Sequence, residues 1–327
     1  MNATTLRTLV LAVLPMASAA GMQRGGGSTP APDPAIAFQS GGGLYVMNGD
    51  GTNVRLVLGN VGAGAQPSWS PDSQELGFAG TPGGQANGIW AVRIDGSGLR
   101  RVASLATGAT TAVAWSPVPA PDGRAKIAYV APVDVGPNQR LYEVFLANAD
   151  GSGEQRLTTT TDHEMDVAWS PEATRLAVTA IAMVDGAKPY CAVLALGADA
   201  GQVVVTAAVN VTMIPGSPLL ATNGTTWSLR SPSWARHADF LLLSAKGDTF
   251  GFDLWLLDLA DPAHPVRVAA TSAAEKAPCW SPDDTRITFW KTGASKSADG
   301  IYRMAADGSG LVQIQRGGSW PDWRRTP

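Results

Sequence analysis

Charge, histidine, cysteine and long apolar runs are all scarce in this chain. Only 16% of its 327 residues are charged, and 24 Lys and Arg against 27 Asp and Glu leave a net charge of -3. Such a surface holds no basic field for a phosphate backbone, so nucleic acid is not an expected partner. There are three histidines, His163, His237 and His264, and two cysteines, Cys191 and Cys279. The nucleophile-elbow pattern G-x-S-x-G is missing. What the chain does have is 45% apolar residues, 37 Gly and 23 Pro. That is enough apolar material for one large core or two smaller ones, and the Gly and Pro point to many short strands joined by turns.

The first residues read as an address. Arg7 supplies a positive charge, TLVLAVLPM a short apolar core interrupted by Pro15, and ASAA the small residues for cleavage after Ala19 or Ala20. The apolar stretch is well short of the roughly 20 residues that a spanning helix needs. Residues 1-20 are therefore expected to be a cleaved signal peptide and 21-34 a Gly/Pro-rich linker. No Cys follows the apolar core to take a lipid anchor. A periplasmic or secreted product without stable membrane insertion is expected.

From residue 35 onward the sequence repeats itself. A tryptophan strand recurs as QPSWSPDS around Trp69, AVAWSPVP around Trp115, DVAWSPEA around Trp169, SPSWARHA around Trp234 and APCWSPDD around Trp280, with a shortened copy, SWPDWRR, around Trp323. Three further strand-length pieces follow each full copy, exemplified by LGFAG, IWAVRIDG and LRRVAS. Ser-Pro-Asp closes the first piece onto the second, and Asp50-Gly51, Asp95-Gly96, Asp150-Gly151 and Asp307-Gly308 close the third onto the fourth. Each unit then folds as a four-stranded antiparallel sheet. The period and the unit predict an all-β domain over 35-327, a six-bladed β-propeller. The chain starts on a second strand, IAFQS, and stops on a tryptophan strand, so the two halves are expected to complete one blade and close the ring.

PSWSPD, IYRMAADGSG and EQRLTT resemble the TolB-like propeller repeat, a WD-like propeller family that also includes the propellers of prolyl-oligopeptidase-like enzymes. The resemblance implies a periplasmic propeller that binds another macromolecule. The separate α/β domain that precedes the propeller in TolB is replaced here by about fifteen residues of linker.

No catalytic residue and no cofactor or metal site is expected. His163 precedes a first strand, whereas His237 and His264 fall at the opposite end of the units. NGDGTN at 48 resembles the start of a calcium loop, but Gly59 stands where an EF-hand needs Glu, so a plain hairpin turn is expected. TDHEMD at 161 gathers His163, Glu164 and Asp166 and reads as a solvated loop. The repeat tryptophans are expected to pack between blades, and Cys191 and Cys279 to be free, buried thiols too far apart to bridge.

Short hairpins share one face of the expected ring, leaving long loops on the other. The longest loop is the insertion 208-230, whose Met213, Ile214, Leu219, Leu220 and Trp227 lie outside the repeat pattern. Either this set plugs the channel mouth or it forms a recognition surface with His163, Glu164, Asp166, Arg230 and Lys276. The expected function is non-catalytic binding, as a monomer, of a protein or cell-envelope polymer. The alternative is a carbohydrate-active or peptidase-like enzyme on the same scaffold.

Overall fold

The computed structural model describes residues 35-106, 112-137, 139-183, 188-212, 228-246, 251-269, 271-293, 295 and 297-325. The expected signal peptide and linker, residues 1-34, lie outside the described residues. The strands run from 2 to 12 residues, and the described residues form an all-β propeller with a single turn of 3-10 helix at Pro82–Gly84. No helix among them is long and apolar enough to cross a membrane.

The first blade contains β1 (Ile36–Ser40), β2 (Gly43–Met47) and β3 (Arg55–Leu58), and its innermost strand is the last of the chain, β24 (Ser319–Trp323). The second contains β4 (Ser68–Trp69), β5 (Glu75–Gly80), β6 (Gly88–Arg93) and β7 (Arg100–Ser104). Two later blades comprise β16 (Ser228–Trp234), β17 (Phe240–Lys246), β18 (Asp253–Asp258) and β19 (Val266–Ala269), then β20 (Ala274–Trp280), β21 (Arg286–Thr292), β22 (Gly300–Ala305) and β23 (Val312–Arg316).

The remaining strands correct the expected blade count. Among the described residues there are four separate four-stranded blades, not six. The third and fourth repeats run together as one eight-stranded sheet. Its strands are β8 (Val113–Trp115), β9 (Lys126–Gly136), β10 (Gln139–Asn148) and β11 (Gln155–Arg156), followed by β12 (His163–Trp169), β13 (Arg175–Ala182), β14 (Lys188–Asp199) and β15 (Gln202–Asn210). The cause is local. β11 is only two residues long and pairs with Phe145 and Leu146, which leaves the start of β10 open. There His163 pairs in parallel with Tyr142, their rings 5.8 Å apart. The two halves still face each other across an apolar layer in which Val130, Val144 and Leu146 meet Trp169, Leu176 and Val178.

Turn chemistry explains why each unit folds back so tightly. The Ser70 hydroxyl donates to Asp72 Oδ1 at 2.6 Å and accepts the Glu75 N–H at 2.9 Å, and Ser281 does the same with Asp283 and Arg286. At the other hairpin Asp50, Asp95, Asp150 and Asp307 each accept the N–H two residues on, at 2.9 Å. The glycine of that turn serves two purposes. Gly308 has φ 84°, a left-handed conformation, and a Cβ there would lie 2.7 Å from the Val268 carbonyl of the preceding blade. Gly51, at φ 89°, would clash in the same way with Ile314.

Among the described residues six apolar layers make the core, one between each pair of facing repeats. Trp69, Trp115, Trp169, Trp234, Trp280 and Trp323 are all buried in them, between blades as expected. Cys191 and Cys279 are buried, and neither forms a disulfide. The inner strands contact one another in cyclic order, β24, β4, β8, β12, β16, β20 and back to β24. β24 closes this ring by antiparallel pairing with β1, Ile36 opposite Trp323 and Ala37 opposite Asp322.

Deleting 317–327 removes an inner strand and strips one side of both β1 and β20. The loss is large against a net stability of about 5 to 15 kcal/mol. We expect the truncated protein to lose its cooperative thermal transition in calorimetry. An unchanged transition would show that β24 does not close the ring.

Candidate functional site

Six inner strands enclose an axial cavity of about 150 Å³. Three residues before each repeat tryptophan stand Gln66, Ala112, Asp166, Ser231, Ala277 and Trp320, and all six line it. Ser231, Ala277 and Trp320 have left-handed φ of 52°, 49° and 55°, and each precedes a proline. The register of these strands slips at the same place, between Arg230 and Ser233 and between Lys276 and Cys279. These bulges separate the start of each strand, at the long-loop mouth, from its regular half.

At that mouth Asp166 is the organising charge. It is 2% exposed, and its Oδ2 accepts Arg230 Nε at 2.6 Å, the Ser231 N–H at 3.0 Å and the Thr179 hydroxyl at 3.2 Å. Burial would lower the Arg230 pKa, but the Asp166 charge outweighs it and holds the guanidinium above its ordinary value. Next round the ring, Lys276 has its ammonium 5.1 Å from the Phe252 ring centroid and 5.2 Å from that of Trp290. Burial, then the Arg230 and Lys246 charges, lower the Lys276 pKa. Trp290 in turn lies 5.7 Å from Trp320. The result is a half-buried cationic and aromatic patch at one mouth of the cavity.

The segment read as a solvated loop is a strand. His163 to Asp166 open β12, which bulges between Glu164 and Asp166 as it pairs with β13. Glu164 is 3% exposed, so it cannot belong to an exposed rim. Its Oε1 accepts the Thr160 hydroxyl at 2.9 Å, and Oε2 is buried with no partner. Burial, then the nearby Glu143 charge, push its pKa up to about 7. Glu275 sits at the same place in β20 and accepts from Thr271, four residues before it, as Thr160 precedes Glu164. The Thr and Glu pair thus recurs in two of the six copies.

The structure therefore brings Asp166, Arg230 and Lys276 together on consecutive inner strands, while Glu164 and His163 belong to the seam of the eight-stranded sheet. Met213, Ile214 and Trp227 lie outside the described residues. Trp290, Trp320 and Phe252 were not singled out from the sequence. Trp320 was legible as a second tryptophan in a copy that elsewhere has one; Trp290 gave no signal, because it sits inside an ordinary strand pattern, and Phe252 closes the loop AKGDTFGF just before β18.

Glu164 makes a pH prediction. Its folded pKa of about 7 lies above the ordinary 4.5, so the neutral acid is favoured by folding. The stability it lends is complete below about pH 4.5 and is lost as pH rises through about 7, up to about 3 kcal/mol for such a shift. Glu164→Gln should flatten stability between pH 5 and 8 in urea titrations and gain on the native protein at the upper end. An identical pH slope in both proteins would contradict the assignment.

No family model matches the chain. An uncharacterized protein of Agrobacterium fabrum is 33% identical over 117 residues, which cover 35% of this chain and 38% of that protein. TolB from Acinetobacter baumannii superimposes with a TM-score of 0.63 at 15% identity, over 88% of this chain and 65% of that one. The chain thus spans less than two thirds of either. A putative TolB from Agrobacterium tumefaciens gives a TM-score of 0.60 at 15% identity, over 88% of this chain and 91% of that one. Hydrazine synthase of Kuenenia stuttgartiensis gives 0.69 at 13% identity, over 90% of this chain and 46% of that one. The fold is thus found in enzymes as well as in TolB, and it does not decide between catalysis and binding. In its fold the chain is a TolB-like β-propeller.

Proposed function

We propose that this chain is a non-catalytic, monomeric propeller of the periplasm or the secreted space that binds a protein or cell-envelope polymer at its long-loop mouth. The observation that carries this reading is the patch of Lys276, Arg230, Trp290, Trp320 and Phe252 around the mouth. Aromatic rings and cations, partly desolvated and held on rigid strands, have the composition of a binding hot spot. Asp166 holds the Arg230 guanidinium in place, so little side-chain freedom is left to lose on binding. Arg230 is carried by β16, and Met213, Ile214 and Trp227, which lie outside the described residues, belong to the same proposed recognition surface.

The rival reading is a carbohydrate-active or peptidase-like enzyme, for which Glu164, with a pKa pushed up to about 7, has the right acidity. Its Thr160 pairing weighs against it, because Glu275 makes the same pairing with Thr271 in β20, as a structural contact recurring in two copies would.

Affinity capture from an envelope extract tests the proposal. Trp290→Ala combined with Lys276→Gln should leave the melting temperature within a few degrees of native and reduce capture at least tenfold, about 1.4 kcal/mol or more. Full capture by the folded double variant would remove the patch as the binding surface. Turnover in a substrate screen that vanishes in Glu164→Gln or Asp166→Asn would instead establish the enzyme.

A further inference from the structure

Two residues beyond the repeat tryptophan, four of the six copies carry proline: Pro71, Pro117, Pro171 and Pro282. The other two carry arginine, Arg236 and Arg325. The position is where the chain leaves each inner strand, at the hairpin-side mouth of the axial cavity and opposite the patch described above. Pro117, Pro171, Arg236 and Arg325 line that cavity together.

Neither guanidinium is spent on the turn. In the Trp234 copy Asp284 takes the place of the Ser-Pro-Asp turn, accepting the backbone N–H groups of Arg236 and His237 at 2.8 and 2.7 Å. In the Trp323 copy Arg324 and Arg325 stand where four other copies carry Ser-Pro. Arg236 Nη2 reaches the carbonyls of Trp323 and Arg324 at 3.5 and 3.3 Å, but its Nε is buried without an acceptor. Arg325 Nε is likewise buried without an acceptor. Two buried guanidinium donors without acceptors, at the two places where the repeat is broken, are a feature that packing does not explain.

The local charges leave room for an anion. Asp322 attracts both guanidiniums, and its Oδ2 already accepts the Trp69 N–H at 3.0 Å. Asp284 is occupied by the two backbone N–H groups and by His237 Nδ1 at 3.2 Å. Burial lowers the pKa of both arginines, that of Arg325 to about 10, and the Arg236 charge adds to the depression of Arg325. An oxyanion between the two groups would accept from the free Nε donors and relieve that repulsion.

We propose that the hairpin-side mouth of the axial channel is an oxyanion site in which Arg236 and Arg325 hold a carboxylate or a phosphate group. It is separate from the long-loop recognition surface and does not depend on it. Trp169, Trp234 and Trp280 line the same cavity, so an arriving anion changes their surroundings.

The test is a tryptophan-fluorescence titration of the full-length protein with inorganic phosphate and, separately, with acetate, at constant ionic strength. A saturable change with at least one anion is expected, weakened at least tenfold in Arg325→Gln and partly restored in Arg325→Lys. Saturation by phosphate alone identifies a phosphate ligand, and saturation by acetate alone a carboxylate. Should Arg325→Gln fail to fold, Arg236→Gln takes its place. The wild-type melt gives a second reading, since a bound anion raises the midpoint with concentration. No saturable change and no rise in the wild-type midpoint with either anion, or a folded arginine variant that titrates like the wild type, would overturn the proposal.

Discussion

Every part of this molecule depends on the contact between neighbouring inner strands. Trp69, Trp169 and Trp234 each donate the indole N–H to the carbonyl just before the preceding copy's tryptophan, on Asp322, Ala114 and Ala168, at 3.0 to 3.2 Å. The Trp323 indole turns instead to the Thr288 hydroxyl, and the buried indole nitrogens of Trp115 and Trp280 have no partner. A large apolar ring with one directional donor suits a layer that must be both filled and held in register. Since each blade is placed only by its neighbours, the arrangement is self-consistent only when the last strand meets the first.

The closed ring also explains where function can lie. Apolar layers take up both faces of every blade, and turns with fixed chemistry take up the hairpins. Variation is left to the ends of the inner strands and to the long loops. Asp166, Arg230 and Lys276 are charges that the ring geometry keeps on neighbouring inner strands, and Trp320 supplies a ring where other copies carry small residues, Gln66 or Asp166. A rigid wall with a few unlike residues is a common way for one scaffold to acquire a specific surface.

The repeat, the two hairpin chemistries, the packing of the tryptophans and the pairing of the ends were all legible, because each leaves a fixed residue at a fixed interval. The fusion of the third and fourth repeats was not. It depends on how few residues of β11 pair, and Gln155-Arg156 does not differ in pattern from longer outer strands. The burial of Glu164 escaped for a related reason. His-Glu-Met-Asp has the composition of a loop, and only its pairing with β13, His163 opposite Ile181 and Glu164 opposite Ala180, makes it a strand start. Arg236 and Arg325 were visible as departures from Ser-Pro, yet their meeting at one mouth follows from the ring and not from any local pattern.

Hydrogen exchange followed at the amides of β24 and β1 tests the ring account most directly. If the final strand is an integral inner strand, its paired amides exchange only through global unfolding, with the same opening free energy as those of β12, β16 and β20. Exchange of the β24 amides at a much lower free energy, with the other inner strands still protected, would mean that the ring stands without its closure.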